Sequence, residues 1–469
     1  MGPPPLKLNV GRDGDRIGAL HDDLLLGILE RLDLRDAVRA GALSARWQHL
    51  PYRLSRLHLN AGHFHRATLF EGMDAFEDAA CRLLSVCPSP AAGKSPRVIE
   101  TLALTFCVSA PHLSSIGRAV EDVVSRGHTK CFQFDICSRC RDGTRRTTQL
   151  LTELGKQFMS FSSAHPVAFG WLTFLTLQDL AFGDSDVADL IRGCDKLKDL
   201  KLRSCRLVDR HSALKIETPH AGLENLWFTR FRCALIELIS VPKLRTFWCW
   251  SRKNPLVRFG YVPELYKVEL GSQAKASQVP FALSECFSRS ATNLSKLYLN
   301  YGCQMNWIKP EHPKELTSIF NNLNSLALYN IFSECDLSWT LFILEVAPAL
   351  QKFRLSRTQH PFVKVSKDNA EKTNIVWEPS KGLKHLNLKL FIMFGFEDED
   401  KVTNYIRLVM EHAVGLKRIE LHGRSPCNGC DAIDLESRRR RSQADEASRH
   451  RIKEQLTHGS SSSVEIVIC

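Results

Sequence analysis

Long apolar stretches are missing from this sequence, and no uninterrupted run approaches the roughly 18 residues that a membrane-crossing helix requires. No membrane partner is therefore expected. The opening residues MGPPPLKLNVGRDGD lack the apolar core of a secretory signal, and prolines follow Met1-Gly2 where N-myristoylation takes a Ser or Thr at the sixth position. Residues 1–14 read as a short flexible lead, and the nucleus or the cytoplasm as the compartment. Catalytic spelling is missing too: there is no Gly-rich phosphate loop, no nucleophile elbow and no histidine pair at helical spacing for a metal. The chain is read as non-catalytic, with no catalytic residue, no cofactor and no metal site.

The cysteines are not scarce, but they are not clustered. Sixteen are spread along 469 residues, which does not resemble the dense framework of a small secreted domain. The two Cys-x-x-Cys pairs, Cys137/Cys140 and Cys427/Cys430, stand too far apart in sequence for a shared zinc ribbon or finger. The Asn293-Leu294-Ser295 sequon is read as chance. A formal net charge of +12 and the run Arg438 to Arg441 keep nucleic acid or an acidic protein in view. Glu436, Asp445 and Glu446 flank that run, however, so it reads as a solvated charged stretch, and nucleic acid is not the expected partner.

Residues Leu20 to Leu50, LHDDLLLGILERLDLRDAVRAGALSARWQHL, form a distinctive stretch. Leu24, Leu25, Ile28, Leu29 and Leu32 fall along one helical face. Asp33 can cap a second helix through Leu34, Ala37 and Val38, Gly41 can end it, and Leu43, Trp47 and Leu50 recur at the spacing of a third. A unit below about 40 residues seldom folds without a metal, disulfides or a partner, and this one has no cysteine. A partner surface is the expected completion.

That spelling, Leu-x-Asp-Asp-Leu-Leu, Ile-Leu-x-x-Leu, Leu-Arg-Asp-Ala and Leu-Ser-x-Arg-Trp, resembles an F-box over residues 15–51. The resemblance implies docking on a Skp-type adaptor and, through it, on a cullin. Leu20, His21, Leu24, Leu25, Ile28, Leu29, Leu32, Leu34, Leu43 and Trp47 would be the adaptor-binding residues. One position departs: His21 stands where the motif usually carries proline at the first helical position. The loss of proline is expected to weaken docking by about 0.5–1 kcal/mol through chain entropy.

From residue 54 onward the fragment Leu-x-x-Leu-x-Leu, or a near variant, returns as LSRLHL, IETLAL, LTFLTL, LKDLKL, LENLWF, LRTFWC, LYKVEL, LSKLYL, LNSLAL, LQKFRL, LKHLNL and LKRIEL, with a degenerate copy at Cys131. Most starts from Leu172 to Leu416 lie within the roughly 20–29 residues typical of leucine-rich repeats. The fourth and sixth positions of each fragment share one face of a strand, so stacked strands would build an inner leucine ladder that no single repeat could bury. Cys107 and Cys205 hold the ninth position of their repeats and match the Leu-x-x-Leu-x-Leu-x-x-Cys spelling. Helical or irregular segments such as SDVADLIRGCDK are expected to return the chain between strands.

Past Leu421 the pattern stops. Ser442-Gln443-Ala444-Asp445 spells a capping box, followed by a helix to about Leu456, a serine loop from Ser460 to Ser463, and alternating Val464, Ile466 and Ile468. Such helix-serine-strand endings resemble the tails of plant F-box proteins that carry leucine-rich repeats, and the whole chain resembles a member of that group. The expected fold class is α/β: an F-box at 15–51, a curved leucine-rich-repeat solenoid at 52–425 with a parallel sheet on its concave face, and a capping tail at 426–469. The implied function is that of the substrate receptor of a Skp/cullin/F-box ubiquitin ligase binding an unknown protein target. The alternative is a ligase-independent module for binding proteins or nucleic acid.

Strand alternation also nominates a target face. In LRTFWCW the inward residues are Phe247 and Cys249, which sends Trp248 and Trp250 outward. The same outward positions hold Trp227, Tyr298 and Tyr329, flanked by Lys201, Arg203, Lys267, Lys296 and Arg354. Tryptophan, tyrosine and arginine are frequent interface anchors. The competing expectation is a return loop that folds over the tryptophans and buries them.

Overall fold

The computed structural model describes residues 20–44, 46–64, 66, 68–85, 98–138, 147–251, 257–272, 281–287, 291–304, 308–309, 311–333, 335–358, 380, 382–423, 446–457 and 464–469. The lead, the capping box at 442–445, the loop at 460–463, the basic run at 438–441, and Cys140, Cys427 and Cys430 lie outside the described residues. Two compact units emerge, one within Met1–Gly143 and Ser160–Thr173, the other within Thr144–Met159 and Phe174–Cys469. Among the described residues, no helix is long and apolar enough to cross a membrane.

The first unit begins with α-helices Asp22–Leu29 and Leu34–Gly41 and the 3-10 helix Trp47–Arg53. Asp33 is the N-cap its position suggests, its Oδ1 accepting the Asp36 N–H at 2.9 Å. His21 corrects an expectation: it is the N-cap, not the first helical residue, and its Nδ1 faces the Asp23 N–H at 3.5 Å. Its φ of −63° is one that proline also adopts. Arg46 and Arg53 close the hairpin onto Asp22, at 2.8 and 3.1 Å. The hydrogen bond from Arg46, above all, holds the Asp22 carboxyl below its ordinary pKa.

Three parallel strands follow in this unit, β1 (Arg56–Asn60), β2 (Thr101–Cys107) and β3 (Cys131–Cys137). The spacing between these early repeats is long because each return carries a full helix, Leu69–Ser85 and then Ala110–Val124. Phenylalanine does much of the work of leucine here. Phe106 meets Phe76 and Phe134 at 6.0 and 5.3 Å between ring centres, and Phe134 meets Phe132 and Phe169 at 4.7 and 5.7 Å.

The second unit takes its strands in chain order: β4 (Phe174–Gln178), β5 (Ala181–Phe182), β6 (Asp199–Arg203), β7 (Arg206–Leu207), β8 (Ala213–Glu217), β9 (Asn225–Thr229), β10 (Leu235–Ser240), β11 (Thr246–Ser251), β12 (Val257–Tyr261), β13 (Lys267–Ser272), β14 (Phe281–Ala282), β15 (Lys296–Gln304), β16 (Ile308–Lys309), β17 (Ser325–Phe332), β18 (Lys352–Thr358), β19 (Leu390–Phe394), β20 (Arg418–His422) and β21 (Glu465–Ile468). The large parallel sheet of this unit runs β4-β6-β9-β11-β13-β15-β17-β18-β19-β20-β21. Its inner ladder passes in register from Leu175 through Leu200, Leu226, Phe247, Val268 and Leu297 to Leu326, Phe353, Phe391, Ile419 and Ile466. Full burial of such a side chain is worth about 1.5–3 kcal/mol, and each residue gains it from its neighbours along the stack rather than from its own repeat.

The shortest repeats return the chain without a helix. The starts Leu223, Leu244 and Leu265 are 21 apart (244 − 223 and 265 − 244), and after the strand and its turn too few residues remain for a helix. The returns of these two repeats, β10 and β12, are strands instead, and they join β8, the return of the 26-residue repeat from Leu197 to Leu223 (223 − 197), in a second parallel sheet ordered β12-β10-β8, where helical or irregular segments were expected. Longer repeats regain helices, at Pro313–Phe320, Phe342–Val346 and Asp400–His412. Cys205 is fully buried in the turn after β6, its Sγ 3.4 Å from the carbonyl oxygens of Leu177 and Arg203, and burial pushes its thiol up to about 12. Earlier in this unit, the chain passes so close to Gly155 that a Cβ there would lie 1.8 Å from the Ala181 carbonyl oxygen, which no side chain tolerates.

One repeat is displaced. LKHLNL at Leu383 spells a strand, yet the strand is β19, and Leu386 is 70% exposed. The fragment in use is LKLFIM, in which Leu388, Phe391 and Met393 take the three ladder positions. His385 holds the preceding turn: Nε2 donates to the Ala347 carbonyl at 3.0 Å and Nδ1 accepts the Leu388 N–H at 3.0 Å. The bond accepted by Nδ1 needs the neutral ring, and burial, foremost, lowers the His385 pKa below its ordinary 6.5. The unfolded chain therefore binds this proton more readily than the folded one, so the stability is present above pH 6.5 and is lost as pH falls through the lowered folded value. Urea midpoints at pH 7.5 and 5.5 should show less acid loss in His385→Gln than in the wild type. An identical loss in both would rule His385 out as a source.

The chain ends with helix Glu446–Thr457, which buries Ile452 and Leu456, and with β21, which pairs in parallel with β20 from Arg418↔Glu465 to Leu421↔Ile468.

Candidate target-binding face and docking module

On the outward face of the second unit's sheet, strand register places the aromatic residues side by side. Trp248 lies between Trp227 of β9 and Glu269 of β13, and Trp250 between Thr229 and Gly271. The two indoles stack at 6.4 Å with their planes 15° apart. A Cβ on Gly271 would meet the Trp250 ring at 2.2 Å, so the indole lies over bare backbone, and glycine is what lets it lie flat. Lys201 Nζ sits 4.9 Å over the Trp227 ring, and Lys267 Nζ 4.9 Å over that of Tyr298.

Farther along, Tyr298 meets Tyr329 edge-on at 6.3 Å, and Arg354 donates from Nη1 to the Tyr329 hydroxyl at 3.3 Å. Arg354 also lies 5.6 Å over Phe394, which stacks on His422 at 4.5 Å. The structure thus joins Lys201, Trp227, Trp248 and Trp250 into one group, and Lys267, Tyr298, Tyr329 and Arg354 into another, with Glu269 paired in register to both Trp248 and Tyr298. All eight nominated side chains are half-buried. Arg203 is exposed at its strand end. Lys296 turns to Tyr266 at 5.0 Å, and their hydrogen bond holds the ammonium above and the phenol below its ordinary pKa.

Phe394, His422 and Gly271 were not foreseen. Phe394 was hidden by the misplaced strand at Leu383, and the need for Gly271 shows only once its neighbour in the adjacent strand is known to be Trp250. Asp199 begins the row that Asn225 continues, and accepts from the Asn225 amide at 3.1 Å. Burial, foremost, raises the Asp199 carboxyl.

The helical module of the first unit corrects the sequence reading in part. Leu25, Leu29 and Trp47, expected to face a partner, are buried within the unit. The reason is that both α-helices pack on the 3-10 helix Trp47–Arg53, so the module's third segment supplies the wall that a partner was expected to supply. What stays in water is a different set: Leu24 is 59% exposed, Ile28 41%, Leu32 44% and Leu43 77%. Val38 joins them, Leu20 and Leu34 are half-buried, and His21 is exposed. Exposed branched apolar side chains this closely spaced call for a covering surface.

Among the described residues no group of three or more His, Cys, Asp or Glu is arranged to hold a metal ion. Comparison with protein families finds one model, described as "At1g61320/AtMIF1, LRR domain", which matches residues 125–465. No curated protein matches the chain.

Proposed function

Because the chain belongs to the leucine-rich-repeat family described as At1g61320/AtMIF1, a family of interaction modules, we propose that it is the target-recognition subunit of a Skp/cullin/F-box ubiquitin ligase in the nucleus or cytoplasm. The observation that carries this reading is the exposure of Leu24, Ile28, Leu32 and Leu43 on a helical module whose spelling resembles an F-box. In this role the chain breaks no bond. It holds a protein target by one surface and the ligase by another, raising the target's effective concentration beside the ubiquitin donor. The aromatic and cationic face of the repeat sheet is the proposed target surface, since desolvated Trp, Tyr and Arg make the strongest interface anchors.

Affinity purification of the tagged full chain under proteasome inhibition tests the ligase assignment. A Skp-type adaptor and a cullin should co-purify, and Leu24→Asp with Ile28→Asp should remove both while leaving the melting temperature unchanged, because these side chains already face water. Retention of adaptor and cullin by the double variant, or their absence from the wild-type purification, would contradict the proposal. Capture of nucleic acid that falls steeply with added salt would instead favour the charge-driven alternative.

A further inference from the structure

Position 357 breaks the rule of its strand. In β18 the inward residues are Phe353, Leu355 and Arg357, so an arginine lies on the core side of the strand; its register partner on β17 is Ile331. Its side chain is 1% exposed. An arginine cannot shed its charge when buried, so its five donors must find acceptors inside the protein. Nη2 finds two, the Ser333 carbonyl at 2.5 Å and Glu399 Oε2 at 3.3 Å. Nε and Nη1 find none.

Both atoms are themselves buried, but the residue borders open space. Arg357 lines a cavity of about 380 Å³ together with Ser338, Lys401, Asn404 and Tyr405. Lys401 bonds to the same carboxylate oxygen of Glu399, at 3.3 Å, so a single negative charge is shared between two cations. The Tyr405 hydroxyl is already engaged with Thr340 at 2.6 Å, and the Asn404 carbonyl oxygen faces Arg407 at 3.5 Å, which leaves the Asn404 amide protons for the cavity. Asp336 is the carboxylate in the wall, and its Oδ1 accepts the Ser338 N–H at 2.6 Å. Leu337, Val402 and Leu408 supply apolar wall. The cavity falls within the size range of small-molecule sites, which are mostly apolar with a few convergent polar groups.

We propose that this cavity is a binding site for a small organic anion, a molecule with one phosphate or carboxylate group and a compact apolar body. The oxyanion accepts from Arg357 Nε and Nη1, from Lys401 and from the Asn404 amide, and the body lies against Leu337, Val402 and Leu408. Oxyanions match a guanidinium because charge-assisted bonds to arginine are the strong and directional ones. The site is independent of the ligase assignment: it belongs to the second unit's core side, and none of its residues is on the aromatic face or in the helical module.

The test is calorimetric titration of the full chain at constant ionic strength with phenyl phosphate, benzoate and, as a neutral control, benzyl alcohol. One or both acids should bind saturably at one site, the stronger identifying the head group, and the alcohol should not bind. Loss of the arginine bonds should weaken the acid by at least about tenfold in Arg357→Leu, a variant whose melting temperature should hold or rise because leucine removes a buried charge with unmatched donors. Lys401→Met, at a half-exposed site, should weaken it as well, and decides the matter should Arg357→Leu fail to fold. No saturable binding of either acid, or equal affinity in the wild type and the folded variants, would overturn the proposal and leave the cavity to water.

Discussion

Leu25→Ala should destabilise the first unit by about 2–5 kcal/mol, the usual result of emptying a fully buried leucine site, while Leu24→Ala should change its stability by no more than about 0.5 kcal/mol. The residues are adjacent in sequence and equal in chemistry, and only the helix rotation between them separates a core residue from a surface one. Leu25 is fully buried, whereas most of Leu24 meets solvent. Adaptor capture should sort the same pair differently: Leu24→Asp should lose the adaptor from a folded chain, and Leu25→Asp should lose it because the module no longer folds. Urea unfolding followed by circular dichroism, run beside co-purification, separates the two outcomes. Equal loss of stability at both positions would mean that Leu24 is covered within the chain and that the exposed set is not a docking surface.

The helical module was legible as three short helical segments, and Asp33 as a cap, because caps and apolar periodicity are local properties. Which of its leucines would face water was not legible. The sequence places Leu24, Leu25, Ile28 and Leu29 on one stripe, and the division of that stripe depends on where the Trp47–Arg53 segment comes to rest, which is a tertiary fact. The repeat array shows the same limit on a larger scale. Apart from the degenerate copy at Cys131, where the strand begins at Cys131 itself, strand starts follow the leucine spelling closely, two residues after the fragment begins, because the ladder cannot be buried in another register. The exception at Leu383 arose because two overlapping spellings compete, LKHLNL and LKLFIM, and phenylalanine and methionine fill ladder sites as well as leucine does. The strand returns β10 and β12 could have been foreseen, since a repeat of 21 residues leaves no room for a helix; β8, in a repeat of 26, could not. Arg357 could not: it looks like any solvent-facing arginine until strand parity assigns it to the core side.

Substituting Trp248 and Trp250 together by alanine should weaken capture of the target by about 30-fold or more, as expected when residues of hot-spot rank, each worth at least about 2 kcal/mol, are removed from an interface. The indoles have a built seat, with Gly271 beneath Trp250, Trp227 beside Trp248, and Lys201 over Trp227. Their half-buried state fits both a recognition platform and a structural cluster, and the companion variant Gly271→Ala separates these readings. Its methyl group would occupy the place of the Trp250 ring, displacing the indole without deleting it. If the face recognises the target by the position of its rings, Gly271→Ala and the double alanine variant both lose the proteins that accumulate on the chain under proteasome inhibition. Both should also keep the adaptor and a cooperative unfolding transition near that of the wild type. If the tryptophans only fill space, the double variant should lose about 3–5 kcal/mol of stability for each large cavity before any partner is lost. Unchanged capture by a stably folded double variant would remove the aromatic face as the recognition surface and leave Arg354, Tyr329 and Phe394 as the next group to test.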